Sequence, residues 1–269
     1  MPEPAYPISA NPTPLPGSPT SQRYLQRARR QTESGNFLEA IQSLERAMKS
    51  GADAYLCTLR IAELYRQLGQ GKVALTRAEQ AVEMAPHKVP AYEVLIAVAL
   101  ELGAFPRAIE ASYDLIKIAP RHISAHNALG TAYMQMGEID SALRAVKTLI
   151  RLDPENPAHH FKRALLCQHK QEFALACYEF MQVLQLDPEG SHAEPAREAL
   201  NLLENCQLHQ IVTLLAEDRM FRHKFQRDPV EASKERGFLL SEAGFYALQN
   251  IGDQLLGDVP ASSHYRHYN

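Results

Sequence analysis

Apolar residues recur at helical spacing through most of this chain. Leu95, Val98, Ala99 and Leu102 stand at i, i+3, i+4 and i+7, and Ala142, Val146, Leu149 and Ile150 at i, i+4, i+7 and i+8. Such spacing places the apolar side chains on one stripe of a helix. The stripes are punctuated at a fixed interval. Ala81-Val82-Glu83-Met84-Ala85-Pro86 has close copies in Ile116-Lys117-Ile118-Ala119-Pro120, Ile150-Arg151-Leu152-Asp153-Pro154 and Leu184-Gln185-Leu186-Asp187-Pro188, with the four prolines 34 residues apart. A period of that length predicts stacked helical hairpins rather than a single globular core.

With each proline at the thirty-second position, the units span 21–54, 55–88, 89–122, 123–156 and 157–190. Position 20 is then alanine in every unit: Ala40, Ala74, Ala108, Ala142 and Ala176. Position 8 is small in four units (Ala28, Ala62, Gly130, Ala164) and Ile96 in the other. Small residues there let two antiparallel helices approach closely. Position 15 is Gly35, Gly69, Gly103 and Gly137, with Gln171 in the last unit, where the first helix must end in a left-handed turn. Position 17 is Phe37, Phe105, Ile139 and Phe173, with Gly71 breaking the series.

This framework, with Tyr92-x-x-Leu95 and Leu129-Gly130-x-x-Tyr133 as its motif residues, resembles the tetratricopeptide repeat family over residues 21–190. The departures are the absence of tryptophan, a first unit ending in Gly51-Ala52, and a fourth position occupied by Tyr24, Thr58, Tyr92, His126 and His160. The resemblance implies an all-α, right-handed α-solenoid whose first helices line a concave groove for peptides or partner proteins. Carrying the family's inward positions onto this sequence gives Arg29, Arg60, Glu63, Arg66, Val94, Asn127, Thr131, Met134, Phe161 and Lys162 as partner-binding residues. Arginines at one end and apolar side chains at the other suit an amphipathic segment with an acidic end. In a second reading, Arg29, Arg60, Glu63 and Arg66 pair among themselves as a solvated surface. Chaperone-binding members clamp a C-terminal carboxylate, but the matching positions here are Leu25, Arg29, Arg60, Pro90 and Val94. The clamp is absent, which argues against a chaperone tail.

Beyond Pro188 the period stops. Residues 191–207 read as a capping helix bearing Ala196, Ala199, Leu200, Leu203 and Cys206 on one face, and 208–257 as a small helical module. The string Phe225-x-x-Asp228-Pro229, with Gly237-Phe238 and Ala247-Leu248, resembles the small helical α-subunit fold of ring-opening aromatic dioxygenases and some bacterial leader-type sequences. That resemblance brings no catalytic residue. Residues 1–20 carry seven prolines without lysine or arginine, which predicts a disordered, proline-rich arm rather than a secretory signal. Residues 258–269 are expected to be a disordered tail.

Composition narrows the function. A net charge of −3 and a pI near 6.4 offer no bulk basic field, and residues 21–190 balance 20 basic against 19 acidic side chains, which argues against nucleic acid. No run of about 18 apolar residues could span a membrane, so the expected location is cytoplasmic. Cys57, Cys167, Cys177 and Cys206 lack zinc-type spacing and read as buried reduced thiols. His122 and His126 stand at a chelating interval, but no third ligand falls at a predictable place, and His126 and His160 occupy a helix-packing position; no metal or cofactor is expected. GxSxG, HExxH and phosphate-binding glycine loops are missing, so no catalytic residue is assigned. The sequence therefore points to a non-enzymatic scaffold or adaptor. The alternative is a regulatory subunit or ligand sensor whose C-terminal module modulates an associated enzyme.

Overall fold

The computed structural model describes residues 18–256, with side chains up to Asn250. The tail assigned to 258–269 lies outside the described residues, as does the proline-rich arm up to residue 17. Every element among the described residues is a helix. In chain order these are α1 (Pro19–Glu33), α2 (Phe37–Lys49), α3 (Ala54–Gln67), α4 (Gly71–Met84), α5 (Val89–Glu101), α6 (Phe105–Ile118) and α7 (Ile123–Gln135). They are followed by α8 (Ile139–Leu152), α9 (Pro157–His169), α10 (Phe173–Leu186), α11 (Ala193–Glu217), α12 (Arg219–Arg227), α13 (Pro229–Glu235) and α14 (Glu242–Leu256). No described helix is long and apolar enough to cross a membrane.

The punctuation of the sequence sets these boundaries. The first helix of each of the first four hairpins ends before a glycine in the left-handed region, with φ from 70° to 76° at Gly35, Gly69, Gly103 and Gly137. Gln171 takes the same conformation at φ 62°. Second helices open at Phe37, Phe105, Ile139 and Phe173, and α4, α6, α8 and α10 close two residues before Pro86, Pro120, Pro154 and Pro188. At Gly71, which breaks this series, a Cβ would come 2.6 Å from Leu102 Cδ2, so a larger residue would require the Leu102 side chain to move. Side-chain caps fix several starts: Ser18, Asp53 and Asn156 accept from the backbone N–H groups of Ser21, Leu56 and Ala158.

The helices form two compact units, one ending at Glu138 and the other beginning at Ile139. In the first, α1 to α6 pair as antiparallel hairpins, each packed on the next, and α7 packs on α5 and α6. Ala40, Ala74 and Ala108 are fully buried at the close approaches. Leu95, Val98 and Leu115 have no exposed surface, and burying each stabilises the stack by about 2 kcal/mol.

In the second unit, α8 to α10 continue the hairpin pattern, with Ala142 and Ala176 fully buried. α11 covers α10 and contributes Ala196, Leu200 and Leu203 to the core around Phe180 and Val183. Here the structure differs from the sequence expectation. The capping helix and the first helix of the C-terminal module are one 25-residue helix, because no proline or glycine interrupts Ala196 to Glu217. Its buried face runs through Gln207, and Cys206 is exposed. Ile211 and Leu215 on its second half build a separate apolar cluster with Phe221, Phe225, Ala232, Leu240 and Leu248.

Candidate functional site

Within the first unit α3 packs on α5 and α5 on α7, which are first helices of successive hairpins. The arginines predicted to grip a partner are held by carboxylates. Arg60 Nη1 donates to Glu63 Oε2 at 3.0 Å, Arg66 Nη1 to Glu101 Oε1 at 2.6 Å, and Arg29 Nε to Glu33 Oε1 at 2.9 Å. Only Glu63 among these carboxylates is buried, with its side chain 10% exposed. Burial pushes its pKa up, against the opposing pull of Arg60 and then Arg66.

The apolar positions divide in two. Val94 is 6% exposed and packs in the core of the unit, so it offers little to a ligand. Asn127, Thr131 and Met134 sit half-buried along α7, and Leu100 is half-buried on α5. The near all-round apolarity of α5 explains its burial on several sides: α3, α4, α6 and α7 all pack against it.

In the second unit Phe161 is half-buried and meets Phe180 edge-on, with centroids 5.8 Å apart. It also stacks on His192, the residue that precedes α11, with centroids 4.9 Å apart. The entry to the capping helix therefore covers part of a ring that the sequence offers to a partner. Lys162 is half-buried beside it on α9.

The clustered histidines turn to different partners. His122 Nε2 lies 3.2 Å from Glu93, whereas His126 Nε2 lies 3.0 Å from the Pro120 carbonyl oxygen. Among the described residues no group of three or more His, Cys, Asp or Glu side chains could hold a metal ion.

Three buried polar residues on the second unit escaped the sequence reading. Glu179 is fully buried, accepts from His160 Nδ1 at 2.8 Å, and forms an ion pair with Arg163 Nη1 at 2.9 Å. It is the sole charged residue of α10, and that isolation was the available signal. Gln207 binds both backbone groups of Leu239, donating from Nε2 at 3.0 Å and accepting at Oε1 at 2.8 Å. Glu204 accepts from the Ser241 backbone N–H. These two side chains tie the segment before α14 onto α11.

Comparison with known proteins agrees with this geometry. Residues 59–122 and 127–191 match the tetratricopeptide repeat model. A MamA structure from Desulfovibrio magneticus RS-1 is 19% identical, with a TM-score of 0.60, covering 65% of this chain and 99% of that one. A second MamA crystal structure is 21% identical, with a TM-score of 0.59, covering 63% of this chain and 93% of that one. Identities at this level show the fold. No curated protein sequence matches the chain significantly. Residues 59–122 and 127–191 of this chain are tetratricopeptide repeats, stacked in an all-α solenoid.

Proposed function

We propose that this protein is a non-enzymatic interaction scaffold that holds a segment of a partner protein on the inward face of its first helices. The observation that supports this reading is the direct packing of α3 on α5 and of α5 on α7, with Leu100, Thr131 and Met134 half-buried on α5 and α7 and Arg66 bonded to Glu101 between α3 and α5. Half-buried side chains on a preformed helical face lose little conformational entropy when a ligand covers them. The paired arginines change the expected ligand. A pre-neutralised Arg60–Glu63 and Arg66–Glu101 row does not demand an acidic segment; it fits the polar edge of an amphipathic helix, with Leu100 and Met134 meeting its apolar side.

The test compares wild-type protein with Leu100→Asp plus Met134→Asp, and with Leu38→Asp on the exposed side of α2. Partners crosslinked from the native host are identified and then titrated as purified segments. Loss of binding in the double variant alone supports the inward face. Equal binding by all three forms removes it.

A second reading gives the interaction to the C-terminal helices as a regulatory surface. Met220 and Tyr246 favour it, being 71% and 69% exposed. Partners lost on deleting residues 218–269, and retained by the double variant, would support that surface.

A further inference from the structure

We propose that the outer edge of the first hairpin is a docking surface for an acidic protein segment, gripped by Arg23, Arg27 and Arg30. These residues stand at i, i+4 and i+7 on α1, which places them on one face over about 10 Å of helix. All three are exposed, and they lie opposite Ser21 and Ala28, the residues α1 buries. The stripe is distinct from the inward face, because Arg29 projects to another side of the helix and is engaged by Glu33.

The hairpin leaves these cations without counter-ions. Residues 18–50 carry six basic side chains, five of them arginine, against three acidic ones. Each of the three carboxylates is engaged elsewhere: Glu33 by Arg29 at 2.9 Å, Glu39 by Gln31 Nε2 at 3.0 Å, and Glu45 by Arg77 at 3.8 Å. Among the described residues, Arg23, Arg27 and Arg30 have no charged partner. Like charges three and four apart on a helix repel one another, so the stripe costs stability while it stands empty. A merely solvated helix face would be served as well by mixed charges, which would avoid that cost.

The chemistry selects the ligand. Guanidinium groups form planar forks that bind a carboxylate through two parallel hydrogen bonds. Three of them one turn apart match carboxylates at helical spacing on a partner. Nucleic acid is the poorer match: three cations over about 10 Å release few counter-ions, and the adjoining repeats balance their charges. This surface does not depend on the inward face proposed above.

The experiment titrates the full chain against a labelled oligoglutamate peptide of about twelve residues, followed by fluorescence anisotropy at low and physiological ionic strength. Wild type should bind, weaken as salt rises, and lose about tenfold or more in affinity in the Arg23→Gln, Arg27→Gln, Arg30→Gln variant. Arg60→Gln plus Arg66→Gln should bind like wild type, which separates this surface from the inward face. Thermal melting checks that the triple variant is folded; Arg27→Gln alone should show a smaller loss and keeps the test open if the triple variant is not. The proposal is overturned by no peptide binding in wild type or by unchanged binding in the triple variant. Tighter binding of a single-stranded oligonucleotide of similar length, abolished in the same variant, would also overturn it. So would self-association at the working concentration that the triple substitution removes, since a second copy would then be the occupant.

Discussion

The Tyr92 hydroxyl donates to the backbone carbonyl of Pro86 at 3.1 Å, tying the start of one hairpin to the proline that closes the one before. The same relationship recurs in the next two repeats with histidine in place of tyrosine. His126 Nε2 lies 3.0 Å from the Pro120 carbonyl oxygen, and His160 Nε2 lies 3.1 Å from that of Pro154. Proline cannot donate a hydrogen bond, and the carbonyl just past a helix end has lost its helical partner. The fourth position of these three units, Tyr92, His126 and His160, satisfies it from six residues away. Tyr92→Phe removes one neutral hydrogen bond and should cost about 1 kcal/mol. His160→Phe also strips Glu179 of a buried partner and should cost about 3 kcal/mol. Urea denaturation measures both; equal losses would show that Glu179 does not depend on His160.

Among the described residues Gln171 is the one non-glycine residue held at positive φ, in the slot that glycine fills in the other four hairpins. A side chain in that conformation costs about 1 kcal/mol or more. Gln171→Gly should therefore stabilise the second unit by about 1 kcal/mol, less a few tenths for the freer unfolded chain. A fall in the thermal midpoint would show that the Gln171 side chain makes contacts worth more than the strain.

Thiol chemistry reads the stack directly. Cys57, Cys167 and Cys177 are buried, and burial pushes the Cys57 thiol up to about 11 and the Cys177 thiol up to about 12. Cys206 is exposed on α11. A thiolate-selective reagent at pH 8 should label Cys206 rapidly and the other three only on unfolding, because the thiolate is the reactive form. Fast labelling of Cys177, checked by peptide mass spectrometry, would mean that α11 does not stay on α10.

Asp218 caps α12. It accepts from the Phe221 and Met220 backbone N–H groups and contacts Arg236; those hydrogen bonds, Phe221 foremost, hold its carboxyl below the usual range. A depressed folded-state pKa contributes stability above the unfolded value of about 3.9, and that contribution disappears as pH falls through the folded value. Hydrogen exchange in α12 should therefore speed up in wild type as pH drops below about 4, relative to the intrinsic rate. In Asp218→Asn that acid-dependent increment should be absent. An identical pH profile in the two proteins would assign it to another carboxylate.

The hairpin boundaries were legible because they rest on local chemistry. Ala108 and Gly103 answer requirements that a few neighbouring residues impose, and each requirement returns every 34 positions. The charge pairing at the carried-over positions was not legible. Arg66 meets Glu101, 35 residues away, and no local pattern announces a pair between successive repeats. Phe161 was read as open, since the stack with His192 forms only when the chain has passed through α10 and turned into α11.

What the sequence determined by itself was the repeat: the period, the close helix approaches at alanine, the left-handed stops and the terminal prolines. These depend on backbone sterics and hydrogen bonding within a few residues. What only the tertiary structure decided was which polar groups are satisfied and by whom. Glu179 reaches His160, Gln207 clasps Leu239, and Glu33, Glu39 and Glu45 leave Arg23, Arg27 and Arg30 unmatched. A charge's partner is set by distance in space, and stacking helices brings together residues that the sequence holds far apart.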